Sequence, residues 1–189
     1  VLPLKKRGLI ARYVSTEAAF YDDDLKDKEG YWHAAYVIPW FLGYNTKMVK
    51  KDELPKTYEE LLNPKWKGRK IALGSDNGSL ILSGLMRVCG NEKAIGYFEQ
   101  LAKQEPAIQA GAPSSRIQLV AAGEFPLTLA SGNTLQTFAS RGAPVNWVPL
   151  EPVFVQLNTI VLAVQSRHPN ATKLFIDFVL SKKGQEMIR

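Results

Sequence analysis

The stretch GYNTKMVKKDELPKTYEELLNPKWKGRKIAL, Gly43 to Leu73, decides how the rest of the chain is read. Thr57 and Glu60 stand at the spacing of a capping box, in which a hydroxyl and a carboxylate satisfy backbone N–H groups at a helix start. A short helix from Tyr58 to Leu62 is therefore predicted. Pro64 ends it, because proline forces the preceding residue out of the helical region. Lys70-Ile71-Ala72-Leu73 then reads as a short buried strand.

The same alternation continues downstream. A polar loop, Gly74 to Ser79, leads to an apolar segment, Leu80 to Cys89, read as a buried helix closed by Gly90, with Cys89 as a core thiol. Asn91 is the expected cap of a helix whose Ala94, Ile95, Phe98, Leu101 and Ala102 share one face, and Pro106 stops it. A short strand at Ile108 precedes a helix capped by Ser114 or Ser115, running through Ala122 to Gly123. Phe125 to Ala130 reads as a strand, Ser131 to Thr134 as a loop before a helix to Arg141, and Val145 to Val148 as the next strand. Asn158 to Val164 is an unbroken apolar strand. Asn170 is expected to cap a final helix with Leu174, Phe175, Phe178 and Val179 as its buried stripe. Alternating strands and helices imply an α/β fold with a mainly parallel sheet. The N-terminal segment adds a helix, an acidic loop at Asp22-Asp23-Asp24 and an aromatic strand from Tyr31 to Ile38. The simplest assembly makes residues 44 to about 152 one compact α/β unit, and both flanks are expected to cross back to a second unit only partly contained in the chain.

The chain has 189 residues, 46% hydrophobic and 22% charged, which is an ordinary globular composition. One cysteine excludes a disulfide framework, and no apolar run of about 18 residues is present. The net charge of +6 favours acidic ligands at long range without specifying one. Its clusters, such as Lys65-Lys67-Arg69-Lys70, lack interleaved aromatics and read as solvated faces, so no nucleic-acid partner is expected. The chain opens on Val1 in a helix-like segment, which reads as the interior of a longer product.

Ligands of open parallel sheets sit beyond the carboxyl ends of the strands, at helix N-termini. Ser75, Asp76 and Asn77 follow one strand there, and Ser131, Asn133 and Thr134 follow another. Arg116 at a third helix start would offer a bidentate handle for a carboxylate or phosphate. Each Ser, Asn and Asp also fits as a simple cap or turn residue. Trp40 and Tyr44 belong to an aromatic group where the chain would cross between units, which is where a cleft would open. His33 and His168 have no nucleophile motif around them, so catalysis is not expected. No metal-ligand spacing and no cofactor motif appears.

The Gly43–Leu73 stretch resembles the strand, Pro-bounded helix and Trp-Lys-Gly turn of the bacterial ABC-transporter solute-binding proteins, in the family that includes ferric-ion binders. AAGEFPLTLA at Ala121–Ala130 and HPNATKLFIDFVLSKKGQEMI at His168–Ile188 resemble two further signatures of that family, in the same order. The resemblance implies a periplasmic-binding-protein-like fold of type II, two lobes with a hinge. Residues 1–43 and 151–189 would be partial lobe one with the hinge crossings, and 44–150 lobe two. It implies a non-enzymatic substrate-binding component of an importer, periplasmic and made with an upstream signal peptide, that delivers a small solute or ion to a membrane permease. A ligand-sensing domain of a transcriptional regulator shares the fold and is the alternative. Ferric-binding members carry adjacent tyrosines where this chain has Asn133 and Thr134. A hydrogen-bonded organic or oxyanion solute is therefore expected ahead of bare iron, and a ferric ion would need a non-tyrosine site.

Overall fold

The computed structural model describes residues 1–188, apart from the side chains of Ser75, Asp76 and Asn77. In chain order the elements are α1 (Leu2–Lys6), β1 (Ile10–Ala11), β2 (His33–Asn45), β3 (Ile71–Gly74), α2 (Ser75–Cys89), α3 (Asn91–Lys103), β4 (Ala107–Gln109) and α4 (Pro113–Ala122). They continue with β5 (Leu127–Ser131), α5 (Gly132–Ser140), β6 (Val145–Val148), β7 (Val155–Ile160), β8 (Leu162–Ala163), α6 (Pro169–Leu180) and α7 (Lys182–Ile188). Two units form, 1–37 with 157–189 and 38–156, and the chain passes between them within β2 and β7. Among the described residues no helix is long and apolar enough to cross a membrane.

The second unit is built on strands in the order β4-β3-β5-β2-β6, with β7 also paired to β2. β3 runs parallel to β4 and β5, whereas β2 is antiparallel to β5 and β6. The expected parallel block is present, but the sheet as a whole is mixed. The long strand at 33–45 enters it from the other direction, which neighbouring βα periodicity could not reveal.

Alternation along these strands divides the core into two layers. Ile71, Leu73, Leu127 and Leu129 join Tyr58, Leu61, Trp66, Leu85, Tyr97 and Phe154 on one face. Ala72 and Ala130 join Ile117, Val120 and Leu135 on the other. Covering both faces is why the strands read as unbroken apolar runs. The predicted capping pattern forms a short 3-10 turn, Glu59–Leu62. Glu60 N–H donates to Thr57 Oγ1 at 3.2 Å, and the Glu60 carboxylate accepts from Lys56 N–H at 2.7 Å.

Several boundaries differ from the sequence reading. The helix expected from Leu80 begins at Ser75, directly after β3, so the anticipated polar loop is its first turn. Asn91 is the first helical residue and Gly90, at φ 87°, occupies the cap. Pro113 and Pro169 open α4 and α6 ahead of the expected serine and asparagine caps, as proline's fixed φ favours at a first helical position. Cys89 is exposed, not a core thiol, because it sits on the outer side of the last turn of α2. The strand expected at 158–164 is two strands, β7 on β2 and β8 antiparallel to β1.

In the first unit Leu162, Ile176 and Leu180 form the core with Ala11, Tyr13, Tyr21 and Ile160 packed against it. The anticipated stripe of α6 is largely outside. Leu174, Phe175 and Phe178 are exposed, and the buried residues are Ile176, Val179 and Leu180.

Candidate functional site

The βα connections of the second unit bring three helix starts to one end of the sheet. β3 passes into α2, β5 passes into α5, and β4 reaches α4 through a short loop. The first N–H groups of each helix lack intrahelical acceptors, so this end of the unit is rich in donors and carries the positive ends of the helix dipoles. A cavity of about 680 Å³ lies there. Ser79, Leu80 and Ser83 of α2, Pro113 of α4, and Ser131 and Asn133 at the start of α5 line it. Ile38 and Trp40 of β2 and Gln156 of β7 complete the wall. None of these residues is charged.

Ser131 Oγ and Thr134 Oγ1 are 2.8 Å apart and hydrogen-bonded, and Ser131 makes no side-chain bond to the first backbone N–H groups of α5. Asn133 Oδ1 accepts from Thr134 N–H at 2.9 Å, leaving its amide donors on the exposed side. Gly132 is required between them. A Cβ there would stand 2.8 Å from the Phe41 ring, so only glycine lets the helix start approach β2 so closely. Ser83 Oγ donates to Ser79 O at 2.7 Å, within the reach of Leu80 O at 3.0 Å. Trp40 is held in register opposite Ser131, and its main chain donates to Phe154 O at 2.9 Å. Its indole Nε1 is buried with no hydrogen-bond partner among the described residues. A buried donor left unsatisfied is costly, about 1–3 kcal/mol, which a bound acceptor would recover.

Of the residues singled out in the sequence, Trp40, Ser131 and Asn133 line this cavity, with Thr134 bonded behind Ser131. The side chains of Ser75, Asp76 and Asn77 lie outside the described residues. Tyr44 is 5% exposed and packs in the core layer with Leu42 and Leu129, away from the cavity. Arg116 is fully buried within α4 and does not line it. It is buried on α4 together with Ile117 and Val120, so it does not stand as the open charged handle expected from the sequence.

Ser79 closes the polar stretch read as one edge of the site, whereas Ser83, Gln156 and Ile38 were not singled out. The i, i+4 spacing of Ser79 and Ser83 marks one helical face, but only once α2 is known to begin at Ser75. His33 is buried in the first unit with Nε2 3.2 Å from Tyr13 O, and His168 is the exposed cap of α6. Among the described residues no group of three or more His, Cys, Asp or Glu converges.

Residues 2–189 match the family described as bacterial extracellular solute-binding protein. The chain is 28% identical over 179 residues to iron uptake protein A1 of Synechocystis sp., which covers 87% of this chain and 49% of that protein. It is 23% identical over 194 residues to the Fe(3+)-binding periplasmic protein of Serratia marcescens, covering 96% and 56%. The chain thus spans about half the length of the curated relatives it matches. Among solved structures, iron-bound HitA from Pseudomonas aeruginosa superposes with a TM-score of 0.84 at 21% identity, covering 99% of this chain and 63% of HitA. AfuA from Actinobacillus pleuropneumoniae, solved with fructose-6-phosphate, superposes at 0.78 with 24% identity, covering 97% and 61%. At these identities the superpositions establish the fold alone.

Proposed function

Because the chain belongs to the family of bacterial extracellular solute-binding proteins, we propose that it is the substrate-binding component of an ABC importer. It holds a small anionic, oxygen-rich solute at the helix-start cavity of residues 38–156 and passes it to a membrane permease. The solute is captured without being transformed, and the work is done outside the cytoplasmic membrane.

The observation that carries this reading is the convergence of three helix N-termini on one cavity lined by hydroxyls, amides and a buried indole N–H. Each helix terminus favours an anion by about 0.3–1 kcal/mol when exposed and up to about 2 kcal/mol when partly buried. Neutral donors aimed at anionic oxygens add about 1.5–3 kcal/mol apiece. Among the described residues that line it there is no carboxylate or phenolate for a hard cation. That donor set suits a phosphate ester or carboxylate better than a bare ferric ion. A ferric cargo is the second reading, supported by the names of the Synechocystis and Serratia relatives.

Calorimetry of the intact protein against inorganic phosphate, a hexose phosphate, citrate and ferric nitrilotriacetate separates the two. The first reading expects binding of an oxyanion without metal, weakened about tenfold or more by Ser131→Ala. Ferric binding with no oxyanion present, unchanged by Ser131→Ala and Trp40→Phe together, would overturn it.

A further inference from the structure

A second cavity, of about 520 Å³, occupies the other end of the same sheet. It is formed by the segments that lead into β3 and β5, residues 65–70 and 124–126, together with Met48 and Val49 beyond the end of β2. β3 and β5 are parallel, so this cavity lies at their amino ends and the helix-start cavity at their carboxyl ends. Its floor is apolar and buried, with Trp66 at 4% and Phe125 at 7% exposure. Lys65, Arg69 and Lys70 stand around it, against Glu53 and Glu124.

These charges are not equivalent. Lys65 is engaged by Glu53 at 3.1 Å, and Lys70 donates to Lys65 O at 2.7 Å. Arg69 has no carboxylate partner among the described residues, and its guanidinium carbon is 6.0 Å from the centre of the Phe125 ring. Its backbone is left-handed, at φ 62°, directly after Gly68 at φ 78°. The conformation is held from outside: Gly68 N–H donates to Gln104 O and Arg69 N–H to Glu105 O, each at 2.9 Å. A second glycine would adopt this shape without strain, so an arginine here is a costly choice for the backbone. What the arginine supplies is a cation over an aromatic ring at the mouth of an apolar pocket.

We propose that this cavity is a second ligand site, for a small amphipathic monoanion with an apolar body of about one aromatic ring and a carboxylate head. The body sits in the apolar mouth beside Trp66, over whose ring Lys65 Nζ stands at 4.8 Å, and Phe125, and the head pairs with Arg69, where a guanidinium can bind a carboxylate through two N–H donors. Glu53 is neutralised by Lys65, so among the described lining residues Glu124 is the rim carboxylate that opposes the anion.

The test is fluorine NMR of 4-fluorophenylacetate with the intact protein, read as saturable line broadening, alongside thermal unfolding of each variant. Arg69→Gly weakens binding at least tenfold while the melting temperature holds or rises, because the left-handed strain is relieved. Arg69→Asn, which also tolerates that conformation, gives the same loss and guards against an effect peculiar to glycine. Glu124→Gln strengthens binding, the neutral 4-fluorophenylacetamide binds at least tenfold more weakly than the acid, and Ser131→Ala leaves the probe unaffected. Equal binding by Arg69→Gly, equal binding of the amide, or loss of the probe in Ser131→Ala would each overturn the proposal. The last outcome would locate the probe at the helix-start cavity, and the second site fails without bearing on the first.

Discussion

Asn45 shows how a single buried amide can organise a turn. It is 2% exposed, its Nδ2 donates to Val120 O at 2.6 Å, and its Oδ1 accepts from Lys47 N–H at 2.8 Å. Replacing it with Ala removes that donor and the Lys47 N–H acceptor, while the Val120 carbonyl keeps Gly123 N–H at 3.0 Å, and Asn45→Ala is expected to lower unfolding free energy by about 1–2 kcal/mol in a urea titration. Gly132→Ala is expected to cost about 1–3 kcal/mol by the same measurement, since the added methyl meets the Phe41 ring and Pro39 O. The role of Ser131 and Asn133 as residues at a helix start was readable from their position after an apolar strand. The burial of Arg116 and Tyr44 was not, because both side chains carry polar groups that suit a ligand as well as an interior, and only the packed neighbours distinguish the two.

At the level of elements, α6 is the clearest case of an ambiguity that periodicity cannot resolve. Leu174, Phe175 and Phe178 recur at i, i+1 and i+4, and Ile176, Val179 and Leu180 at i, i+3 and i+4, so either set makes an acceptable helical stripe. The helix buries the second set because Ala11, Tyr13, Tyr21 and Ile160 pack there. The first set leaves an apolar face in water. Self-association through that face is expected, and the double variant Leu174→Glu, Phe175→Glu should reduce it, seen as a lower weight-average mass in sedimentation equilibrium. The polar edge of the same helix predicts an alkaline limit. Tyr13 Oη donates to Asp177 Oδ2 at 2.7 Å, and burial together with that carboxylate pushes the phenol up from 10.0 to about 12. A folded-state value above the unfolded one contributes stability that is complete below pH 10 and lost as pH rises towards 12. Tyr13→Phe should flatten the fall in melting temperature across that window, which a series of melts at rising pH checks.

Across the whole molecule, residues 38–156 carry cavities at opposite ends of one sheet that share no lining residue, so the two proposed ligands would not compete for the same atoms. Simultaneous saturation with an oxyanion solute and 4-fluorophenylacetate is expected to raise the melting temperature further than either alone. A ligand at 100 times its dissociation constant adds about 2.7 kcal/mol, and independent sites add their contributions. A failure of the two shifts to add would show that the sites are linked or shared. The family, the α/β class and the order of most elements were determined by the sequence itself. Those properties rest on local signals, namely capping pairs, prolines, apolar runs and short ordered motifs, that act over a few residues. The antiparallel insertion of β2, the face that α6 buries, the start of α2 at Ser75 and the meeting of Ser79, Ser83, Ser131 and Trp40 around one cavity were decided by tertiary structure. They depend on which surfaces separated segments bury against each other, and that free energy belongs to the contact, not to either segment alone.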